Sequence, residues 1–158
     1  MIDQASQQRI ALLHPKLRDE VNALVEQSNA ALTTHSQVRI VQGLRTFAEQ
    51  DALYAQRPKV TNAKGGQSLH NYGVAVDFCL IIDGKTASWD LKKDWDGDKI
   101  ADWMEVVSIF RKAGWEWGGT WKFTDNPHFQ KTFGYTWQQL LVKHNNKDFI
   151  PGTTYVNI

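Results

Sequence analysis

Apolar residues near the N-terminus recur with the spacing of an amphipathic helix. Between positions 7 and 32 they fall near one face, at Leu12, Leu13, Leu17, Val21, Leu24, Val25 and Leu32. Residues three and four apart share a helix face, so this segment is predicted to be helical. Pro15 lacks a backbone donor and therefore predicts a break between two helices.

Further along the chain, the apolar runs become shorter and richer in β-branched residues, a pattern that predicts strands. We expect strands at 38–44 and 74–82, followed by a short strand at 116–118. The dipeptide Asp83-Gly84 favours a hairpin turn after the second strand.

Between and after these strands, three more helices are expected. Thr46 can cap a helix that runs to Ala55, and Glu49 would complete a capping box with it. The other two helices are predicted at 102–113 and 136–144. The segment 57–67 is rich in proline, asparagine and glycine, so it is predicted to be a loop that borders the functional site.

Strands and helices that mix without regular alternation favour an α+β fold over a doubly wound one. The chain has 158 residues, of which 42% are hydrophobic, enough for one core. We therefore expect a single α+β domain over residues 1–158, with a small central antiparallel sheet flanked by helices.

Composition narrows the range of partners. The net charge of +1, without a basic run, gives no reason to expect nucleic acid, and no segment is long and apolar enough to span a membrane. The first residues lack the basic and apolar parts of a signal peptide, so synthesis in the cytoplasm without one is expected. Cys79 is the only cysteine, which excludes an intrachain disulfide.

Four polar residues could together form a hydrolytic zinc site. Two imidazoles and one carboxylate, from His70, His128 and Asp77, can hold Zn²⁺ and leave a fourth position open. Asp125 lies three residues before the second imidazole and could accept a proton from the attacking water.

The local sequence indicates how these side chains could meet. His70 comes just before an Asn-Tyr-Gly turn, and Asp77 lies on the following strand, on the face shared with the small residues Ala75 and Cys79. Pro127 disfavours helical geometry before it, so the segment 125–129 is predicted to be extended. Asp125 and the last histidine can then reach one site only through a bend.

The pattern S-x-H-x-x-G-x-A-x-D at 68–77, followed by D-x-P-H-F at 125–129, resembles the zinc peptidases that cleave bacterial cell-wall peptides. This family includes D-alanyl-D-alanine carboxypeptidases and the L-alanyl-D-glutamate endopeptidases of phage lysins and bacilli. The resemblance extends from position 12 to 133. It also includes the segments Leu12-Leu13-His14-Pro15-Lys16-Leu17, Gly43-Leu44-Arg45-Thr46 with Gln50 and Leu53-Tyr54, and Gly114-Trp115-Glu116-Trp117-Gly118-Gly119.

The resemblance implies a hedgehog/DD-peptidase-like zinc peptidase fold and a role for each matching residue. It makes His70, Asp77 and His128 the zinc ligands and Asp125 the general base. It also implies that Arg45 stabilises the developing oxyanion or a substrate carboxylate. Ser68 is implied to hydrogen-bond the substrate or the site.

The same resemblance implies an enzyme that acts on the peptidoglycan stem peptide of the bacterial cell wall. We expect it to be a monomer and, without a signal peptide, to reach the wall by phage release or secretion. Gly65-Gly66, the Asn-Tyr-Gly turn and the double glycine at 118–119 favour cleavage between L-alanine and D-glutamate. A D-alanyl-D-alanine carboxypeptidase is the alternative, and a noncatalytic zinc-stabilised wall-binding module is a third.

A second group of acidic residues has the spacing of a calcium-binding loop. Carboxylates stand at loop positions one, three, five, nine and twelve, namely Asp94, Asp96, Asp98, Asp102 and Glu105. Lys99 occupies position six, where a calcium loop normally has glycine. A structural or regulatory Ca²⁺ site is one hypothesis, and an acidic loop before a helix is the other.

The remaining reactive side chains have simpler interpretations. Cys79 could add a thiolate ligand, but its strand position favours a buried thiol. His14, His35 and His144 belong to no motif with other metal-ligating residues, so surface or core roles are expected for them. The seven tryptophans could line a glycan groove, but Trp115 and Trp117 are expected to pack in the core.

Overall fold

The computed structural model describes all residues, 1–158, and contains five α-helices. Their bounds are α1 Gln4–Ala11, α2 Arg18–Leu32, α3 Phe47–Ala55, α4 Asp102–Lys112 and α5 Trp137–Asn145. Pro15 lies between the first two helices, which confirms the predicted break. Thr46 and Glu49 form the expected capping box at the start of α3.

Five strands form one antiparallel sheet. They are β1 Ser36–Gln42, β2 Ala75–Ile82, β3 Thr86–Ser88, β4 Glu116–Trp117 and β5 His128–Gln130. The order across the sheet is β1-β2-β5-β4, and β3 also pairs with β2. Asp83 and Gly84 both have positive φ, 51° and 68°, as the predicted hairpin turn requires. This architecture confirms the α+β prediction.

Alternate residues of β2 divide between the core and the functional face. Val76, Phe78 and Leu80 are buried in a hydrophobic cluster of 25 residues that includes members from α1, α2, α4 and α5. Phe129 of β5 stacks between Phe78 and Phe110, at centroid distances of 5.3 and 4.5 Å. The core therefore holds β2 and β5 together from one side, and on the other side of β2 only Asp77 is partly exposed.

The tryptophans of the GWEWGG segment belong to this core. Trp115 and Trp117 are 3% and 8% exposed, which confirms the packing prediction for them. Trp117 donates its indole N–H to the carbonyl of Asn126 at 2.7 Å. The segment around β4 is thus anchored to the turn that precedes His128.

Candidate metal centre

Three of the residues singled out from the sequence converge on one point. Potential ligand atoms of His70, Asp77 and His128 all lie within 4.8 Å of one another. Asp77 Oδ2 is 3.4 Å from His70 Nε2, and Asp77 Oδ1 is 3.0 Å from His128 Nδ1. The two imidazole rings are nearly perpendicular, with centroids 5.2 Å apart. Two nitrogens and a carboxylate therefore face a common space.

His70 lies within a 3₁₀ helix, Leu69–Tyr72, rather than just before a turn as predicted. The Ser68 hydroxyl caps this helix by accepting a hydrogen bond from the His70 backbone N–H at 3.3 Å. The Asn71 side chain accepts in return from the Ser68 N–H at 3.1 Å. The cap is formed because serine and asparagine have short polar side chains that reach their own backbone.

Gly73 ends this helix in the left-handed region, with φ of 70°. A Cβ there would lie 2.5 Å from the backbone nitrogen of His14. The Gly73 carbonyl also accepts a hydrogen bond from that nitrogen at 3.0 Å. Both the dihedral angle and the close approach require glycine, so this position fixes the path from His70 into β2.

The imidazole of His70 is held by the end of the β1 segment. Its Nδ1 lies 2.8 Å from the carbonyl oxygen of Gly43. A carbonyl can only accept, so Nδ1 carries the proton and Nε2 keeps its lone pair facing Asp77. A second ring nitrogen fixed in this way is typical of metal-ligating histidines.

Asp77 and His128 come from adjacent strands. They are directly opposite in the antiparallel register of β2 and β5. Ala75 and Cys79 flank Asp77 on its face of β2 and are buried, as the alternation predicted. The side chain of Asp77 is 23% exposed and that of His128 10% exposed, so both lie at the bottom of an open depression.

Asp125 reaches the same depression through the predicted bend. The His128 N–H donates to the Asp125 carbonyl at 3.1 Å, which closes a turn around Pro127. The Asp125 carboxylate Oδ2 lies 3.8 Å from His128 Nδ1 and is half exposed. A Cβ on Gly118 would come 2.3 Å from the Asp125 carbonyl oxygen, so the glycine permits this close packing.

The pKa values of the two carboxylates in the depression shift in opposite directions. Burial raises the pKa of Asp77, but hydrogen bonds from His128 and His70 in their protonated forms outweigh it and hold that pKa well below the usual range. Burial raises the pKa of Asp125, and the nearby charge of Asp77 adds to this effect. Asp77 is therefore suited to remain an anion, and Asp125 to exchange a proton.

These donors fit a zinc ion of the catalytic type. His70 Nε2, His128 Nδ1 and an Asp77 oxygen face one space, and three protein ligands leave a fourth position for water or substrate. The outer nitrogens of both histidines are held by protein acceptors, the Gly43 carbonyl and the Gln130 side-chain oxygen. The geometry supports the ligand set that the sequence predicted.

Arg45 and Ser68 both contact the backbone of His70, in different ways. The Arg45 backbone N–H donates to the His70 carbonyl at 3.0 Å, and its guanidinium donates to Gln50 Oε1 at 2.9 Å. Gln50 is itself fully buried. Ser68 is the helix cap described above, which bears out the simpler interpretation of this residue as a cap. The roles of both residues toward substrate stay predictions.

The sequence interpretation missed the outer contacts of the centre. Gln130 contacts His128 directly, and Glu116 contacts Gln130. Asn71 joins three segments by accepting from Gly66 N–H and donating to the Arg45 carbonyl. The position of Gln130 two residues after His128 on a strand was a usable signal, because such residues share a face.

The acidic loop folds on itself. The backbone N–H groups of Gly97 and Lys99 donate to the Asp94 carboxylate, and Lys99 has a positive φ of 73°. Asp102 is buried, and its two oxygens accept from the Ser36 hydroxyl and the Trp95 N–H. Carboxylates of this loop form two overlapping groups, Asp94, Asp96 and Asp102, and Asp96, Asp98 and Glu105. Such groups also occur without an ion, so calcium binding stays a prediction.

The other candidate side chains lie outside the metal centre. Cys79 is buried, and burial raises the pKa of its thiol, which favours a structural role. His14 is buried and its Nε2 contacts the Val156 carbonyl at 2.8 Å. His35 pairs with Asp83 at the surface. These placements agree with the simpler interpretations.

Comparison with known proteins identifies the relatives of this chain. Residues 61–131 match the family described as D-alanyl-D-alanine carboxypeptidase. Over 124 residues the chain is 44% identical to the peptidoglycan L-alanyl-D-glutamate endopeptidase CwlK of Bacillus subtilis (strain 168), covering 75% of this chain and 72% of that protein. The crystal structure of the L-Ala D-Glu endopeptidase ChiX of Serratia marcescens is similar, with a TM-score of 0.57 and 27% identity over 82% of this chain and 88% of that one.

These matches confirm the resemblance drawn from the two motifs. The matched residues 61–131 include all four residues of the centre. The chain belongs to the D-alanyl-D-alanine carboxypeptidase family of peptidases, which here includes relatives that are L-alanyl-D-glutamate endopeptidases.

Proposed function

We propose that this protein is a zinc-dependent peptidoglycan peptidase that hydrolyses the bond between L-alanine and D-glutamate in the stem peptide. The observation that carries the proposal is the convergence of His70, Asp77 and His128 with a second carboxylate, Asp125, beside them. The activities named for the relatives from B. subtilis and S. marcescens support the choice of bond.

His70 Nε2, His128 Nδ1 and an Asp77 carboxylate oxygen would hold the zinc ion. When bound, zinc supplies Lewis acidity for the scissile carbonyl and the attacking water. The protein contributes a fixed set of donors, because one ligand comes from a capped 3₁₀ helix and two come from paired strands. No serine or cysteine nucleophile is required for this chemistry.

Asp125 acts as the general base. Its carboxylate accepts the proton of the attacking water and later delivers it to the leaving amine. Burial raises the pKa of this carboxyl, which brings it closer to the working pH of a proton carrier. The turn at Asn126 and Pro127 keeps Asp125 Oδ2 within 3.8 Å of His128 Nδ1.

Arg45 supplies the positive charge that the reaction requires. Its backbone is tied to His70, and its guanidinium is directed by the buried Gln50, whose amide donates to the Ala63 carbonyl at 2.9 Å. A fixed cation near the reacting carbonyl stabilises the oxyanion of the tetrahedral intermediate or binds a substrate carboxylate. Ser68, which caps the helix that carries His70, would hydrogen-bond the peptide.

A groove of about 430 Å³ next to the centre gives the stem peptide a place to lie. Its lining includes Leu69, which adjoins one proposed ligand, and Gln130, which contacts another. Tyr135 and Trp137 also line the groove. A mixed polar and aromatic groove suits an extended peptide with alternating charged and apolar side chains.

Mass spectrometry of purified muropeptides incubated with the zinc-loaded protein tests the proposal. Release of an L-alanine-bearing fragment from the rest of the stem is expected. Release of free D-alanine would assign the protein to the carboxypeptidase branch. Absence of cleavage in a protein that binds one zinc tightly would contradict the hydrolytic role and favour the wall-binding module.

The Asp125→Ala variant is the matched control for this experiment. It removes the proposed base and leaves the three proposed ligands in place. We expect it to bind zinc like the wild type and to lose cleavage by about a hundredfold or more. Cleavage at the wild-type rate would show that Asp125 does not transfer the proton.

The proposal extends to the domain organisation, oligomeric state and place of action of the enzyme. We infer that residues 1–158 form one catalytic domain that acts as a monomer on the cell wall, without nucleic acid. One hydrophobic cluster that includes residues from four helices and the sheet supports a single domain. No helix of the structure has both the length and the apolar character needed to cross a membrane.

A further inference from the structure

Gln130 contacts the outer side of His128. Both residues lie on β5, two positions apart, so their side chains project from the same face of the strand. Gln130 Oε1 is 2.9 Å from His128 Nε2, the ring nitrogen that faces away from Asp77. A group at this distance can decide which ring nitrogen carries the proton.

The orientation of the Gln130 amide follows from its other partner. Gln130 Nε2 lies 2.7 Å from the carboxylate Oε2 of Glu116, directly opposite it in the β4–β5 register. A carboxylate can only accept, so the amide NH₂ faces Glu116 and the amide oxygen faces His128. His128 must then carry its proton on Nε2, and the lone pair of Nδ1 faces the metal centre.

Glu116 also holds the tryptophan ring that packs against His128. Its second oxygen, Oε1, accepts the indole N–H of Trp121 at 3.0 Å. The Trp121 ring lies against the His128 ring, with centroids 5.3 Å apart. One carboxylate therefore fixes both the hydrogen-bond partner of His128 and the aromatic ring that packs on it.

We propose that Gln130 and Glu116 are positioning residues that set the tautomer and ring orientation of His128 for zinc binding. Gln130 acts directly on His128, and Glu116 acts through Gln130 and Trp121. The inference rests on the zinc centre of the proposed function, but not on which bond the enzyme cleaves. Partners of this kind commonly change metal affinity by about 10- to 100-fold when they are removed.

Zinc affinity, measured by chelator competition on the protein alone, tests the proposal. We expect Gln130→Ala and Glu116→Ala to bind zinc about 10- to 100-fold more weakly than the wild type. Glu116→Gln keeps an oxygen that can accept from Gln130, so it should lose less affinity than Glu116→Ala. Gln37→Ala, at an exposed glutamine of β1, is the matched control and should bind zinc normally.

Absorption of the cobalt-substituted protein gives a second readout. The visible bands of Co²⁺ report the geometry of the ligands, so they should shift in Gln130→Ala and remain unchanged in Gln37→Ala. Thermal melting of the zinc-free proteins separates a loss of fold from a loss of affinity. Glu116 is exposed, so its variants test the proposal even where Gln130→Ala folds poorly.

The double variant Gln130→Ala/Glu116→Ala tests the connection between the two residues. If Glu116 acts mainly through Gln130, the double variant should lose less affinity than the two single losses combined. Fully additive losses would overturn this connection. The whole proposal would be overturned if both single variants bound zinc within twofold of the wild type and showed unshifted cobalt spectra. This holds whatever bond the wild-type enzyme cleaves.

Discussion

Asp77 and His128 are directly opposite each other on the antiparallel strands β2 and β5, with Oδ1 and Nδ1 3.0 Å apart. The backbone pairing of these strands fixes this distance, because Phe78 and Phe129 next to them stack in the core. His70 approaches from a separate segment, held by its own cap and by Gly43. The centre therefore has a rigid pair and one independently positioned ligand.

The first prediction concerns the charge of Asp77. Asp77→Asn preserves the shape of the side chain but removes the anion that neutralises the metal. We expect zinc affinity to fall by more than about 100-fold, beyond the loss typical of an outer contact. Chelator competition measures it, with Asp83→Asn at the exposed hairpin as control. Normal zinc binding by Asp77→Asn would exclude Asp77 as a ligand.

The sequence was sufficient to predict the parts of this centre that depend on local geometry. The alternation of β2 placed Asp77 among small residues, and Pro127 indicated the bend that brings Asp125 back. The grouping of Asp77 with His128, which are 51 positions apart, rested on their ligand chemistry and on the resemblance, and on no local pattern. Register between distant strands depends on core packing, which one sequence does not display.

The outer contacts were harder to predict for the same reason. Gln130 and Glu116 are ordinary polar residues, and their role depends on the β4–β5 pairing that places them side by side. The 3₁₀ helix around His70 was also missed. Its four residues carry little periodic signal, and its cap depends on the reciprocal contacts of Ser68 and Asn71.

The second prediction concerns Arg45. Arg45→Ala removes the guanidinium but leaves the backbone bond to His70, so zinc binding should be unchanged. We expect kcat/KM for muropeptide cleavage to fall by about a hundredfold or more, as for loss of an oxyanion donor. Arg45→Lys should recover only part of this loss, since an ammonium group lacks the planar fork. Arg111→Ala, on the exposed surface of α4, is the control.

The third prediction separates the two roles of Ser68. Loss of the cap in Ser68→Ala should lower the free energy of unfolding by about 1 kcal/mol. Ser68→Thr keeps a hydroxyl and should retain most of the stability that the cap contributes. Urea unfolding measures this effect. A rise in KM for muropeptides beyond that of a variant of equal stability would support a substrate contact. An unchanged KM would leave Ser68 as a cap alone.

The fourth prediction concerns the pH dependence of stability at the acidic loop. Burial and the charges of Asp98 and Asp96 raise the pKa of Glu105 to about 7, from 4.5 in the unfolded chain. The folded protein then binds the proton more tightly, so this contribution to stability is full below about pH 4.5 and is lost as pH rises through about 7. Glu105→Gln should remove the effect, which urea unfolding at pH 5 and pH 8 measures as a difference from the wild type.

The same variant tests the calcium hypothesis for this loop. Calcium would favour the ionised form of Glu105, whose Oε2 is buried without a hydrogen-bond partner. If the loop binds the ion, calcium should raise the melting temperature at pH 8 in the wild type and much less in Glu105→Gln or Asp98→Asn. Equal effects of calcium and magnesium on all three proteins would instead indicate screening of a surface loop. That result would favour the interpretation that these carboxylates simply precede α4 or lie in its first turn, where the helix dipole stabilises negative charge.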